Sequence, residues 1–293
     1  MIETSARPLR LLFVDGNMRD TREGLRQSYG MAYGEAYAAE IAAIEPDIVS
    51  DICLPADDGA NLPDSDGLES YDGIFLTGSA LHIYDTTPPV TRQIELMRAI
   101  YASGTPCFGS CWGIQVGSVA AGGTVTANPK GREAGFARKI TPTEAGRNHA
   151  LLASRPAAFD APAIHLDTIA LPAHGTTILA SNAYSQVQAA EIKHNGGTFW
   201  GVQYHPEFSL KQIVAILERR VPLLIKEGFR KDEVSAKDWL DDLLTLDAEP
   251  NRQDLAWAHG LDREVLDAVR RVTELRNFME HRVKPHASAR GRA

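Results

Sequence analysis

The sequence predicts an α/β protein: a mostly parallel central sheet with helices on both faces, followed by a helical C-terminal extension. Two observations carry this reading. Short apolar runs alternate with helix-length segments through the first 123 residues, the pattern of successive β-α-β units. After about residue 210 the strand pattern stops and helical patterns take over. The α/β domain is placed at residues 1–229 and the helical extension, with a disordered basic tail, at residues 230–293.

The elements follow in order. LRLLFVD, residues 9 to 15, is an apolar run closed by Gly16 and Asn17, suited to a strand buried on both faces. Residues 17 to 34 are polar and rich in glycine, and predict a loop with some helix. GEAYAAEIAAIE predicts a helix closed by Pro46. DIVSDICLP is the second strand, ADDGANLPDSDG a turn-rich connection, and YDGIFLTG the third strand, which opens into the loop TGSALHIYD. VTRQIELMRAIYASG is a helix that Gly104 stops. TPCFG is the fourth strand, and GIQVGSVAAGG the helix after it. Right-handed crossovers set the carboxyl ends of these strands along one edge, where open α/β sheets hold their sites.

From about 135 to 205 the pattern changes to five short strands: FARKITPT, AIHLDTIALP, TTILASN, QVQAAEIKH and TFWGVQYH. They predict an antiparallel layer and a return into the main sheet. SLKQIVAILERRVPLLIKEGF is helical, capped by Ser209 and interrupted at Pro222. SAKDWLDDLL opens with a capping-box-like Ser235 and Asp238. DREVLDAVRRVTELRNFMEHRV sets Val265, Val269, Val272, Leu275 and Met279 on one helical stripe. That stripe must be buried, either on the protein's own domain or in an interface with a synthetase subunit or a second copy in a homodimer. The tail HRVKPHASARGRA is basic and rich in small residues, and reads as disordered.

Composition removes several classes. The net charge is -8, against the basic face of a nucleic-acid binder. No apolar run approaches the ~20 residues that span a membrane. Three cysteines, few and odd in number, suit free thiols in a reducing compartment, so a cytoplasmic location is expected. Cys107 and Cys111 have no second Cys/His cluster at ligand spacing, and no Gly-x-x-x-x-Gly-Lys-Ser/Thr phosphate loop occurs. No metal or cofactor is expected.

The chemistry is concentrated at Gly109-Ser110-Cys111-Trp112-Gly113. A nucleophile held above a sharp strand-to-helix turn needs small neighbours two residues away on each side, and both are glycine. The helix N-terminus favours a thiolate there, and the Trp112 N–H can stabilise an oxyanion. GVQYHPEF sets His205 and Glu207 two apart, which predicts both side chains on one face at the end of a strand. A histidine there can deprotonate Cys111 while the carboxylate orients its ring. An α/β-hydrolase-type esterase also uses an elbow, but its acid comes from a separate loop before the histidine. His165 and Asp167 line the pocket or form a second acid/base pair. His82 and Tyr84 touch substrate or only shape their loop. Cys53 and Cys107 are expected in the core.

YDGIFLTGS, CFGSCWGIQ, GREAGFA and GVQYHPEF, in that order, resemble the class I glutamine amidotransferases, in particular the glutaminase domain of GMP synthase and its stand-alone relatives. The resemblance covers roughly residues 9 to 210 and implies a flavodoxin-like sheet. It implies hydrolysis of a γ-glutamyl amide through a thioester on Cys111, with His205 as base and Glu207 as its orienter. It assigns glutamine contact to Gln115 and the second oxyanion donor to Gly78-Ser79. Two departures stand out. Gly78-Ser79-Ala80 replaces the usual Gly-Gly-Pro, and Ile164-His165-Leu166-Asp167 replaces Ser-His-Gly-Asp where the substrate's α-groups bind. The Ser-Gly-Gly-x-Asp-Ser loop of a GMP synthase does not occur. Two functions therefore follow: a glutaminase that delivers ammonia to a separate synthetase subunit, or a stand-alone hydrolase of other γ-glutamyl amides. A non-enzymatic regulator is disfavoured by the intact Cys111, His205 and Glu207.

Overall fold

The computed structural model describes residues 7–60, 62–63 and 65–291. Residues 61 and 64 of the turn-rich connection, residues 1–6, and residues 292 and 293 of the tail lie outside it. Eleven strands are described: β1 (Leu9–Val14), β2 (Ile48–Cys53), β3 (Gly73–Leu76), β4 (Cys107–Ser110), β5 (Thr124–Ala127), β6 (Glu133–Pro142), β7 (Phe159–His165), β8 (Asp167–Leu171), β9 (Thr176–Ser181), β10 (Ala189–His194) and β11 (Gly197–Val202). Nine form one sheet in the order β2-β1-β3-β4-β11-β10-β9-β6-β7. The first five run parallel. From β11 outward the pairing is antiparallel.

The antiparallel strands therefore continue the main sheet rather than forming a separate layer. AIHLDTIALP is two strands, not one. It breaks at Leu166, so that β7 pairs with β6 in the sheet while β8 pairs with β5 in a separate two-stranded ribbon.

The parallel strands inside the edge strand β2 are buried on both faces, and strict alternation divides their side chains. Leu11, Phe13, Phe75 and Phe108 pack on one face. Leu12, Val14, Ile74, Leu76 and Cys107 pack on the other, under the helices Pro88–Ser103 and Trp112–Ala120. The first face is covered by the helix Tyr33–Ile44 and by the far C-terminal segment. Phe278 meets Phe75 edge-on with ring centres 5.3 Å apart, and lies 5.5 Å from Phe108 and 6.0 Å from Trp200.

That segment differs from its sequence reading. Residues 263–278 are three short helices, Arg263–Leu266, Ala268–Arg271 and Thr273–Phe278. Asp262 and Asp267 each cap a new start by accepting backbone N–H bonds. The break turns Val269 outward, 59% exposed, while Val265, Val272, Leu275 and Met279 are buried. The tail is helical rather than disordered: a π-helical turn at Met279–Val283 leads into the helix Lys284–Ala289. Val283 and Ala287 extend the buried stripe four residues at a time, while Lys284 turns out to Glu45 at 2.9 Å.

Two helix starts also shift. Asp232, not Ser235, caps the helix Glu233–Ala248, and Ser235 is its reciprocal partner one turn on. Pro222 falls in the first turn of Val221–Lys226, where its missing N–H costs nothing. The interruption therefore lies before it, at Arg219 and Arg220. Ser209 caps Leu210–Glu218 as expected, accepting from Gln212 N at 3.1 Å. Among the described residues no helix is long and apolar enough to cross a membrane.

Candidate active site

The site lies at the carboxyl ends of β3, β4 and β11, three neighbouring strands of the parallel half of the sheet. β4 stops at Ser110 and a helix begins at Trp112, leaving Cys111 between them with φ 53° and ψ −98°. A non-glycine residue at positive φ is strained unless its surroundings hold it there. Here Cys111 N donates to Val202 O on β11 at 2.8 Å, and the glycines remove the collisions. A Cβ on Gly109 would lie 2.8 Å from the Gly113 backbone, and one on Gly113 would lie 3.0 Å from Leu76 Cβ. The Trp112 indole turns into the core and donates to Gln93 Oε1 at 2.7 Å. The Trp112 backbone N–H belongs to the first turn, where helices leave their N–H groups without intrahelical partners.

His205 and Glu207 lie beyond the end of β11, in the turn that follows, not on the strand. They still meet: the His205 ring donates from Nδ1 to Glu207 Oε1 at 2.7 Å. The ring is stacked on Phe208, centre to centre 3.9 Å. The second carboxylate oxygen accepts from Ser110 Oγ at 2.8 Å, and that hydroxyl in turn meets Tyr37 OH at 3.2 Å. Burial acts to lower the His205 pKa, but the Glu207 charge and hydrogen bonding with Cys111 outweigh it and raise it to about 9. The other two thiols are shut away. Burial lifts Cys53 to about 11 and raises Cys107 well above the usual thiol range.

Gly78 faces this pair. A Cβ there would sit 2.6 Å from His205 Cε1 and 3.6 Å from Cys111 Cβ. Neither Gly78 nor Ser79 has a positive φ, so glycine is required at 78 for space, and serine sits at 79 without strain. The Gly78 carbonyl accepts from Asn17 Nδ2 and Thr77 Oγ1, both at 2.8 Å. A trans peptide points its N–H opposite to its C=O, so this tether turns the Ser79 N–H to the other side. Ser79 Oγ is itself tied to Gly16 O at 2.9 Å.

Two spaces open beside Cys111. One of about 230 Å³ is lined by Ser79, Gln115, Arg132, Asp167 and Arg220, among others. One of about 30 Å³ lies against His205, Tyr33, Phe208 and Ile216. A larger groove of about 850 Å³ between C-terminal helices contains none of the residues named for the chemistry. Gln115 is buried on the wall of the first space, with Nε2 3.4 Å from Asp167 O and from Gln203 Oε1. His165 and Asp167 are not an acid/base pair. The Asp167 carboxylate accepts from His82 Nδ1 at 2.7 Å and Tyr84 OH at 3.1 Å, and His82 also lines the first space. His165 is held by Glu133 Oε2 at 2.9 Å and by the Asp167 backbone carbonyl at 3.0 Å.

The family model for glutamine amidotransferase class-I matches residues 51–221, which carry Gly78, Cys111, His205 and Glu207. The chain belongs to the class-I glutamine amidotransferases. Among its relatives, a gamma-glutamyl-L-1-hydroxyisopropylamide hydrolase from a Pseudomonas species is 34% identical over 286 residues, 95% of each chain. The GMP synthase [glutamine-hydrolyzing] of Leifsonia xyli is 30% identical over 135 residues, 46% of this chain and 25% of that enzyme. A solved glutamine amidotransferase of Thermotoga maritima shares the fold at TM-score 0.69 and 18% identity, over 95% of this chain and 99% of that one.

Sequence reasoning missed Ser110, Tyr37, Asn17, Glu133 and Arg220. Ser110 carries no signal of its own: Glu207, which its hydroxyl meets, lies 97 residues away in sequence. Glu133 sits inside GREAGFA, where its burial was the missing information.

Proposed function

We propose that this protein is a stand-alone hydrolase of γ-glutamyl amides, acting through a thioester on Cys111 and releasing an amine and glutamate to water. The observation that carries the reading is the strained Cys111 between two glycines, with the His205–Glu207 pair beside it. The near full-length likeness to a γ-glutamyl amide hydrolase supports hydrolysis over ammonia delivery.

The steps follow from the groups present. Cys111 Sγ, its proton taken by His205, attacks the γ-carbonyl carbon. The carbonyl oxygen gains the charge and accepts hydrogen bonds from the Trp112 and Ser79 N–H groups. His205 returns its proton to the amine nitrogen as the C–N bond breaks. Water then enters, gives a proton to His205 and displaces the thiol, leaving glutamate. Glu207, fixed by Ser110, keeps the ring oriented and stabilises its charged form. By size, the γ-glutamyl group takes the 230 Å³ space.

The test is a panel on the purified chain alone: glutamine, and γ-glutamyl amides of methylamine, isopropylamine and hydroxyisopropylamine. Turnover of the N-substituted amides ahead of glutamine is expected. Glutamine hydrolysis with none of the substituted amides would instead favour a glutaminase subunit. Activity that survives Cys111→Ala would overturn the mechanism.

A further inference from the structure

Arg220 lines both spaces, together with Ser79, Ala80, Cys111 and Ile164, and is the one cationic side chain they share. It occupies the junction between the helices Leu210–Glu218 and Val221–Lys226, and its backbone is pinned at both ends: its N donates to Leu217 O at 2.8 Å and its carbonyl accepts from Leu224 N at 2.9 Å. The side chain is half-buried. Its Nη1 makes a long bond to Ile216 O at 3.3 Å, and its charge lies close enough to act on the Tyr33 hydroxyl.

The other charged groups of the larger space are already matched. Arg132 donates Nε and Nη2 to Glu227 at 2.9 and 3.4 Å, and His82 is taken by Asp167. Among the described residues no carboxylate pairs with Arg220, although a guanidinium has five donors arranged to grip one. A γ-glutamyl group brings a carboxylate into this space on its α-carbon, away from the reacting carbonyl. It brings an α-ammonium as well, and Asp167 is the acidic side chain on the wall.

We propose that Arg220 binds the α-carboxylate of the γ-glutamyl group and so sets the enzyme's requirement for that group. The assignment rests on the γ-glutamyl reading above and adds how the acyl portion is recognised. Charge-assisted bonds of this kind are worth roughly 10- to 100-fold in affinity.

The experiment compares two substrates that differ only in that carboxylate: a γ-glutamyl amide the enzyme hydrolyses, and the 4-aminobutyryl amide of the same amine. Wild type should favour the first by roughly 10- to 100-fold in kcat/KM. In Arg220→Gln the ratio should collapse toward one, mainly through KM. Arg220→Lys should restore part of it, because the charge remains. A purely structural role would slow both substrates alike and leave the ratio intact; that result, or a wild-type ratio near one, overturns the assignment while the γ-glutamyl function stands. Wild-type protein inert toward every γ-glutamyl amide would overturn the function and this assignment with it.

Discussion

One methyl group at position 78 would reach the His205 ring, and the ring has nowhere to go because Phe208 is stacked behind it. Gly78→Ala should therefore push the imidazole off its line to Cys111 and cost on the order of 10²-fold in kcat. The cost in stability should be modest, about 1–3 kcal/mol. Calorimetry beside steady-state kinetics separates the two; normal activity in the variant would mean that Gly78 does not face the working ring. The pH profile tests the same ring. With a pKa of about 9, His205 holds its proton at neutral pH and can hand it to the leaving amine. Activity should fall as pH rises through about 9, when the neutral ring has no proton to give. Glu207 is one of the groups holding that value up, so in Glu207→Gln the falling limb should move to lower pH, with a smaller loss of rate than in His205→Ala. An unmoved limb would assign it to another group. Gln115→Ala should raise KM more than it lowers kcat, since a binding contact acts in the ground state too; a loss confined to kcat would contradict that role.

At the scale of elements, an ion cluster ties the C-terminal segment to the site. Arg155, almost fully buried, grips Glu274 with two bonds of 2.8 and 2.7 Å and Glu264 with one of 2.9 Å. Glu274 also accepts from Tyr204 OH at 2.9 Å, one residue before His205. Arg155→Ala leaves Glu274 buried without its cation, while Glu264 keeps Arg270 at 2.8 Å, and should cost about 3–5 kcal/mol, or a drop in Tm of roughly 10 °C. A drop of 2 °C or less in thermal unfolding would show that the cluster is solvated in solution. None of this was legible from sequence. Arg155 and Glu274 are 119 residues apart, and each alone resembles a surface charge. Apolar runs marked β1 and β3 because burial on both faces leaves few polar positions in them, while the edge strand β2 carries Ser50 and Asp51. The C-terminal stripe was half legible: its spacing identified four residues that are buried, while the caps at Asp262 and Asp267 cut the helix and turned Val269 out. His205 and Glu207 were paired rightly from their spacing but for the wrong reason, since a turn and not a strand brings them together.

For the whole molecule, the C-terminal segment completes the core. Val272, Leu275, Phe278, Met279 and Val283 are buried with the sheet residues Phe13, Phe75 and Phe108. At about 1.5–3 kcal/mol each, the five together match the entire ~5–15 kcal/mol stability of a typical domain. A chain ending at Phe229 should therefore lose its cooperative thermal transition, not merely change its oligomeric state. Retention of that transition, with a dimer becoming a monomer by light scattering, would place the stripe in an interface instead. The central claim is that one thiol of three does the chemistry, and mass spectrometry tests it directly. The protein is treated at neutral pH with an electrophilic glutamine analogue, and the intact mass and peptide map are read. The account predicts a single adduct on Cys111, absent in Cys111→Ala, with Cys53 and Cys107 unmodified in the folded protein. An adduct on Cys53 or Cys107 with Cys111 untouched would contradict it.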